Sequence, residues 1–422
     1  MEELHPRCAG IDIGKKFAKV CVRVPGLGGP GTRRKVERVS EVVTTWGSMT
    51  HQILQLREHL VAQRVTCVVM EATSDYWKPY YYLLEDLGHE VPGCEVMLVN
   101  ARHVKNVPGR KSDVNDATWL AQLGAHGLVA SSFVPPPAIR ELRDLTRTRT
   151  ALVRDRNREV NRLEKLLEGA GIKVSSVLSE LDGVSGLAIL RGLAQGLRDP
   201  VELAALAHWR LNGKKAQLIE SLTGRFTDHH GFLVATHLRL VDELNILIED
   251  LNDRIEVVIE PFRGFRDLIC SIPGISTLVA DVITAETGAD MTQFPTPAQL
   301  ASWAGVCPGN NESAGRVRAT RTRQGNTHLK GALGIAALSA SRTKNTYYHA
   351  KYKRLAGRRG KKRAVVALMH DMLTTIWHMA QTGELYNDPG PDFFQHLDPQ
   401  REQRRARTIL EAAGYHITKK AS

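Results

Sequence analysis

The sequence predicts an α/β amino-terminal part joined to a mainly helical remainder. Two observations carry this. Up to residue 132, apolar runs come three in a row and then alternate with helix-length stretches, which is the pattern of a mixed sheet with helices packed on it. Beyond Pro135-Pro136-Pro137, which breaks the chain, leucine and other aliphatic residues recur at helical spacing through two long segments.

Taken in order, strands are expected at 7–14, 17–24, 36–43, 65–71 and 95–100, and helices at 46–63, 76–88 and 113–126. Gly26-Leu27-Gly28-Gly29-Pro30-Gly31 reads as the turn between the second and third strands. The order matches a ribonuclease H-like layout. Residues 138–170 read as one long helix with Leu142, Leu145, Leu152, Val160, Leu163 and Leu167 on a seam that Arg149 and Arg156 interrupt. Its other faces carry Arg140, Arg143, Arg147, Arg154, Arg158 and Arg162 among acids. That suits either a solvated helix laced with ion pairs or a coiled-coil arm that also touches nucleic acid. A second long helix at about 232–260 would pair with it as an antiparallel hairpin or serve a dimer interface. Ile272-Pro273-Gly274-Ile275-Ser276 lies between two helical patterns and resembles a helix-hairpin-helix turn, whose backbone N–H groups can receive a DNA phosphate. Helices are expected again at 331–344 and 363–380, followed by a basic tail over 381–422 at the periphery.

The chain has 422 residues and a formal charge of +12, a balance that favours a polyanionic partner, most simply nucleic acid. No apolar run approaches the ~18 residues of a membrane helix, and no signal-peptide pattern opens the chain. The protein is therefore expected in the cytoplasm, associated with the nucleoid and not with a membrane. The six cysteines (Cys8, Cys21, Cys67, Cys94, Cys270 and Cys307) are scattered and read as reduced thiols. A Gly-x-x-x-x-Gly-Lys phosphate loop and a zinc-spaced Cys/His cluster are both missing from the sequence, which argues against ATP-driven action and a zinc site.

Three fragments carry the candidate chemistry. Asp12 ends an apolar strand, Glu71 ends a second, and Asp113 and Asp116 stand one helical turn apart in Lys111-Ser112-Asp113-Val114-Asn115-Asp116-Ala117. A carboxylate at a buried strand is costly unless paired or ligated. Four hard oxygen donors with no His or Cys among them suit Mg²⁺, or Mn²⁺, and paired ions of that kind serve phosphodiester chemistry. Taken singly, each fragment also suits a turn or a helix cap. Farther on, Ser313 lies in a Gly/Asn-rich stretch followed by Arg316, Arg318, Arg321, Arg323 and Lys330, guanidiniums able to neutralise a phosphate beside a hydroxyl. The run from Lys351 to Arg363 holds Lys351, Lys353, Arg354, Arg358, Arg359, Lys361, Lys362 and Arg363 with no acid, most simply a phosphate-backbone contact.

In these motifs the chain resembles the insertion-sequence transposases with a RuvC-like Asp-Glu-Asp-Asp domain, the bridge-RNA-guided recombinases to which Piv-type DNA invertases are related. The marks are Gly10-Ile11-Asp12-Ile13-Gly14, Met70-Glu71-Ala72-Thr73, Val99-Asn100-Ala101, the Lys111–Ala117 segment, Ile272-Pro273-Gly274-Ile275, Ala304-Gly305-Val306-Cys307-Pro308, Glu312-Ser313-Ala314-Gly315 and Gln324-Gly325-Asn326. They span nearly the whole chain in order. The family often has Ser-Gly directly, whereas here Ala314 intervenes. The resemblance implies that Asp12, Glu71, Asp113 and Asp116 hold Mg²⁺ and that Ser313 forms a covalent phosphoserine link to DNA. It also implies a structured non-coding guide RNA, donor and target DNA, and a dimer assembling to a tetramer. The domains are then 1–132 (RuvC-like catalytic), 133–262 (long-helix linker and dimerisation), 263–380 (transposase domain with the serine) and 381–422 (basic tail). The rival readings are a hydrolytic RuvC-like nuclease of the junction-resolvase type, a site-specific invertase of the same family, and a non-catalytic nucleic-acid-binding protein.

Overall fold

The computed structural model describes residues 3–26, 39–72, 74–100, 116–309, 311–313, 316–319, 321–394 and 399–416. The chain divides into two compact units, Met1–Val134 and Pro135–Ser422.

The first unit is built on five strands: Cys8–Ile13 (β1), Phe17–Pro25 (β2), Val39–Gly47 (β3), Cys67–Glu71 (β4) and Glu95–Val99 (β5). They lie in the order β3-β2-β1-β4-β5. The first three are joined antiparallel, and β4 and β5 extend the sheet in parallel with β1. This is the ribonuclease H-like order expected from the sequence. Thr50–Ala62 (α1) and Trp77–Leu84 (α2) cover one face, and Asp116–Ala125 (α3) covers the other.

Period-two alternation sorts the side chains. Ala9, Ile11 and Ile13 join Val68, Met70 and Leu98 under Ile53, Leu56, Leu60, Tyr80 and Leu84. Cys8, Cys67, Val69 and Val99 pack under Leu120, Leu123 and Ala125. The third strand runs to Gly47, past the expected end at 43, and α1 starts correspondingly later. Thr44, Thr45 and Trp46 stay in the ladder because β2 continues opposite them as far as Phe17.

The second unit opens with Pro137–Gly169 (α4), whose first helical position is a proline with preset φ. Val184–Ala194 (α5), Pro200–Ala205 (α6) and Lys215–Ser221 (α7) follow, then the long Asp228–Val258 (α8). Along α4, Arg149, Arg156 and Glu159 contact Asn252, Asn245 and His237 of α8, so the two helices run antiparallel within one chain. The far end of this arm is closed by a core of Leu163, Leu167, Ile189, Leu190, Leu193, Leu218 and Val234.

Arg263–Cys270 (α9), Thr277–Thr287 (α10), Pro297–Trp303 (α11), the hairpin Asn311–Ser313 (β6) and Arg316–Ala319 (β7), Thr327–Arg342 (α12), Tyr347–Arg359 (α13) and Lys361–Thr382 (α14) complete the body. Pro399–Ala412 (α15) follows. The start of the expected basic tail is packed in place. Tyr386 N donates to Ser271 Oγ at 2.9 Å, Tyr347 N donates to Asp388 Oδ1 at 2.9 Å, and the Tyr347 ring stacks on Phe394 with centroids 5.4 Å apart. Among the described residues no helix is long and apolar enough to cross a membrane.

Candidate active site and nucleic-acid interface

Ile11 of β1 and Met70 of β4 are register partners on adjacent parallel strands, so Asp12 and Glu71 are the next position on each. Alternation sends both away from the Ile11/Met70 core and towards the face that α3 covers. Adjacent strands stand about 4.8 Å apart, which makes the two acids neighbours. Both are half-buried.

The seating of α3 follows from two glycines. A Cβ on Gly10 would lie 2.1 Å from the Ala117 carbonyl oxygen and 2.4 Å from Ala121 N. A Cβ on Gly124 would meet Val69 Cγ2 at 2.5 Å and Cys8 Sγ at 2.8 Å. The helix therefore runs antiparallel to β1, its last turn over Cys8 and its first turn towards Asp12. Asp116, half-buried, is the first residue of α3 and belongs to the end of the sheet where Asp12 and Glu71 stand. Asp113 lies outside the described residues. The donors are carboxylates only, a set that fits a hard divalent cation. Among the described residues no three His, Cys, Asp or Glu side chains form a group that could hold an ion.

Ser313 is on a short strand, whereas the sequence suggested an irregular stretch. It is the last residue of β6 and the register partner of Arg316, the first residue of β7; Arg318 is also on β7. The available signal was the Arg316-Val317-Arg318-Ala319 alternation. Ala314 and Gly315, which connect the strands, lie outside the described residues. The hairpin's base is fixed. Gly309 N donates to Arg321 O at 3.1 Å, and Lys330 Nζ donates to Gly305 O at 2.9 Å and Thr322 Oγ1 at 3.1 Å. Gly305 has φ +72°, and a Cβ there would stand 2.6 Å from Gly325 N, so the segments entering and leaving the hairpin pass each other with no room for a side chain.

Residues 9–172 match a DEDD-type family of IS110 described as "Transposase", and residues 266–353 match the family described as "Transposase IS116/IS110/IS902 family". The chain belongs to the DEDD insertion-sequence transposases. It is similar to the transposase for insertion sequence element IS1111A of Coxiella burnetii, at 24% identity over 89% of this chain and 90% of that one. It is also similar to the insertion element IS900 uncharacterized 42 kDa protein of Mycobacterium paratuberculosis, at 29% identity over 70% of this chain and 79% of that one. A shorter match, 29% identical over 29% of this chain and 31% of the other, is to the insertion element IS110 uncharacterized 43.6 kDa protein of Streptomyces coelicolor. The chain is accordingly an enzyme acting on DNA.

In this transposase the serine hairpin is anchored through a buried acid that the sequence reading did not single out. Glu286 of α10 is fully buried. Arg147 grips it with two bonds, Nε to Oε1 at 2.7 Å and Nη2 to Oε2 at 2.9 Å, and Asn326 Nδ2 donates to Oε2 at 2.6 Å. Burial alone would raise its carboxyl, but Arg147, Arg143 and Asn326 together outweigh burial and hold it below the ordinary value. Asn326 Oδ1 meanwhile accepts from His328 N and Leu329 N and caps α12. One amide thus ties the chain leaving the hairpin to α10 and to the arm helix α4. Arg149, which interrupts the leucine seam, is buried beside it, 2.9 Å from Asp281 Oδ2. Its position on the seam is explained by that ion pair.

The remaining basic residues differ in their engagements. Lys351 Nζ lies 2.7 Å from Asp371 Oδ2, and the Arg354 guanidinium lies over the Phe394 ring at 4.8 Å. Lys353, Arg358, Arg359, Lys361, Lys362 and Arg363 are exposed, as are Arg321 and Arg323. Lys361, Lys362 and Arg363 occupy the first turn of α14, which carries no acid. Cations there oppose the helix dipole, a cost that an incoming anion would reverse. At the Ile272–Ser276 turn, Gly274 has φ +92°, Ile272 and Ile275 are buried, and Ser276, Thr277 and Leu278 at the start of α10 are exposed.

Proposed function

We propose that this transposase cuts and rejoins DNA strands through a carboxylate cluster of Asp12, Glu71, Asp113 and Asp116 and a covalent phosphoserine at Ser313. Guidance comes from a structured RNA, and more than one protomer assembles. The observation that supports the reading is that Asp12 and Glu71 hold adjacent register positions at the ends of β1 and β4, with the first turn of α3 at the same end of the sheet. A Mg²⁺ or Mn²⁺ ion held by the four acids would supply charge stabilisation at the phosphate and favour the ionised serine hydroxyl. Ser313 Oγ attacks phosphorus, an Oγ–P bond forms, the bond from phosphorus to one sugar oxygen breaks, and that oxygen takes up a proton. Because the phosphodiester energy is kept in the serine ester, a second strand's hydroxyl can displace the serine with no ATP. The exposed cations of 353–363, with Arg316, Arg318, Arg321 and Arg323, contact backbone phosphates of DNA and RNA, while base pairing reads sequence.

The test is a cleavage reaction on nicked substrate, resolved on a denaturing gel, with mass spectrometry of any adducted peptide. Ser313→Ala should leave folding and nucleic-acid binding intact and abolish both adduct and recombination. Asp116→Ala should abolish strand cleavage as well. Normal recombination by Ser313→Ala with no adduct in the wild type would replace this reading with hydrolysis by the acids alone.

A further inference from the structure

Far from these acids in sequence, at the closed end of the helical arm, the segment between α6 and α7 presents an aromatic ring within a basic turn. Trp209 is 67% exposed. The Arg210 guanidinium lies over its indole at 5.6 Å, and the His208 ring is tilted beside it with centroids 5.4 Å apart. The backbone is held: His208 N donates to Ser185 Oγ at 2.9 Å, and His208 Nδ1 accepts from Arg210 N. Lys214 and Lys215 close the turn and are exposed, and no acid occurs from Leu203 to Ile219. Among the described residues, none of Arg210, Lys214 and Lys215 makes an ion pair.

Leaving a tryptophan open to water forgoes the gain of burying its large apolar surface. The surroundings decide what would cover it. A second copy of the same patch would bring like charges together, and the patch offers no acid to offset them. An unpaired nucleobase offers a flat π-face for the indole and a phosphate for the adjacent cations, the combination found in single-strand binding surfaces.

We propose that the turn His208–Lys215 is a stacking site for an unpaired nucleotide, with Trp209 under the base and Arg210, Lys214 and Lys215 on its phosphates. The site is separate from the strand chemistry and does not rest on it. RNA and single-stranded DNA share the recognised chemistry, and the experiment distinguishes them.

Full-length protein is irradiated with short oligouridine carrying one 5-iodouridine, with the corresponding iodinated oligothymidine, and with a duplex of the latter. Peptides are then mapped by mass spectrometry. The adduct should fall on Trp209 for single strands and not for the duplex, and the higher-yielding oligonucleotide identifies the natural strand. Trp209→Ala should weaken single-strand binding about fivefold or more, whereas Trp209→Phe retains most of it. Lys214→Gln with Lys215→Gln should lower the slope of log affinity on log salt by about 1.4. Adducts confined to other peptides, together with unchanged affinity of Trp209→Ala, overturn the proposal. So does a change in sedimenting mass of Trp209→Ala with oligonucleotide affinity unchanged, which would make the patch a protein contact. Repeating the mapping on Ser313→Ala separates this site from the cleavage reading, because crosslinking needs no strand transfer.

Discussion

Replacing Gly10 by alanine isolates the contact that seats α3. The new methyl would stand 2.1 Å from the Ala117 carbonyl oxygen and 2.4 Å from Ala121 N, both backbone atoms with no rotamer to yield. Ordinary contact begins near 3.4 Å, so α3 must retreat from the sheet by about 1.3 Å or β1 must bend away. Overpacking of this kind costs about 1–3 kcal/mol, and in a unit of this size each kcal/mol lowers the melting temperature by about 4 °C. Asp116 moves with the helix while Asp12 and Glu71 stay on their strands. A misplacement of about 1 Å in a reacting set costs on the order of a hundredfold in rate. Gly10→Ala should therefore melt several degrees lower in its first transition by calorimetry. It should lose most strand cleavage in a gel assay and still bind nucleic acid through the second unit. A variant that melts and cleaves like the wild type would refute both the seating of α3 and the assignment of Asp116 to the reacting set.

Other outcomes follow from the same contacts. Glu286→Ala removes the buried carboxylate that Arg147 and Asn326 bind and should cost about 1.5–3 kcal/mol in denaturant titration. Because the Glu286 carboxyl is held below its ordinary 4.5, its contribution is complete above that value and is lost as pH falls through the lower folded value. Melting temperature measured from pH 7 to 3 should therefore fall less steeply on the acid side in Glu286→Gln than in the wild type. Gly331 of α12 is exposed with open space where a Cβ would go, so Gly331→Ala should stabilise by about 0.4–1 kcal/mol, read as a higher denaturation midpoint. Neutralising Arg358, Arg359, Lys361, Lys362 and Arg363 to Gln should weaken duplex binding for all sequences alike and lower the salt slope by about 0.9 for each lost contact, measured by anisotropy across a salt series.

Much of the first unit was legible because the inner strands β1, β2 and β4, buried along most of their length, write themselves as short apolar runs. All five strands fall within a few residues of the expected ranges, and the three described acids fall at the strand ends and helix start where the motifs put them. The third strand was misjudged because its continuation depends on β2 lying opposite Thr44–Trp46, a partner that local pattern does not name. The hairpin bearing Ser313 escaped for a related reason. A strand of three residues has no period to read, and it exists through pairing with β7 and the crossing of Gly305 and Gly325.

By itself the sequence determined the fold class, the order of elements and the family, since each depends on which residue types occur and in what order. It also yielded the two long helices, whose leucine spacing survives any arrangement. Only the tertiary structure decided that those helices run antiparallel in one chain. The same holds for Arg149 as a buried ion-pair partner of Asp281, and for Asn326 as a cap and a tie to Glu286. These roles belong to pairs of residues separated by tens to more than a hundred positions. Their energies arise when folding removes water between them, and composition and periodicity carry no record of which charge will meet which.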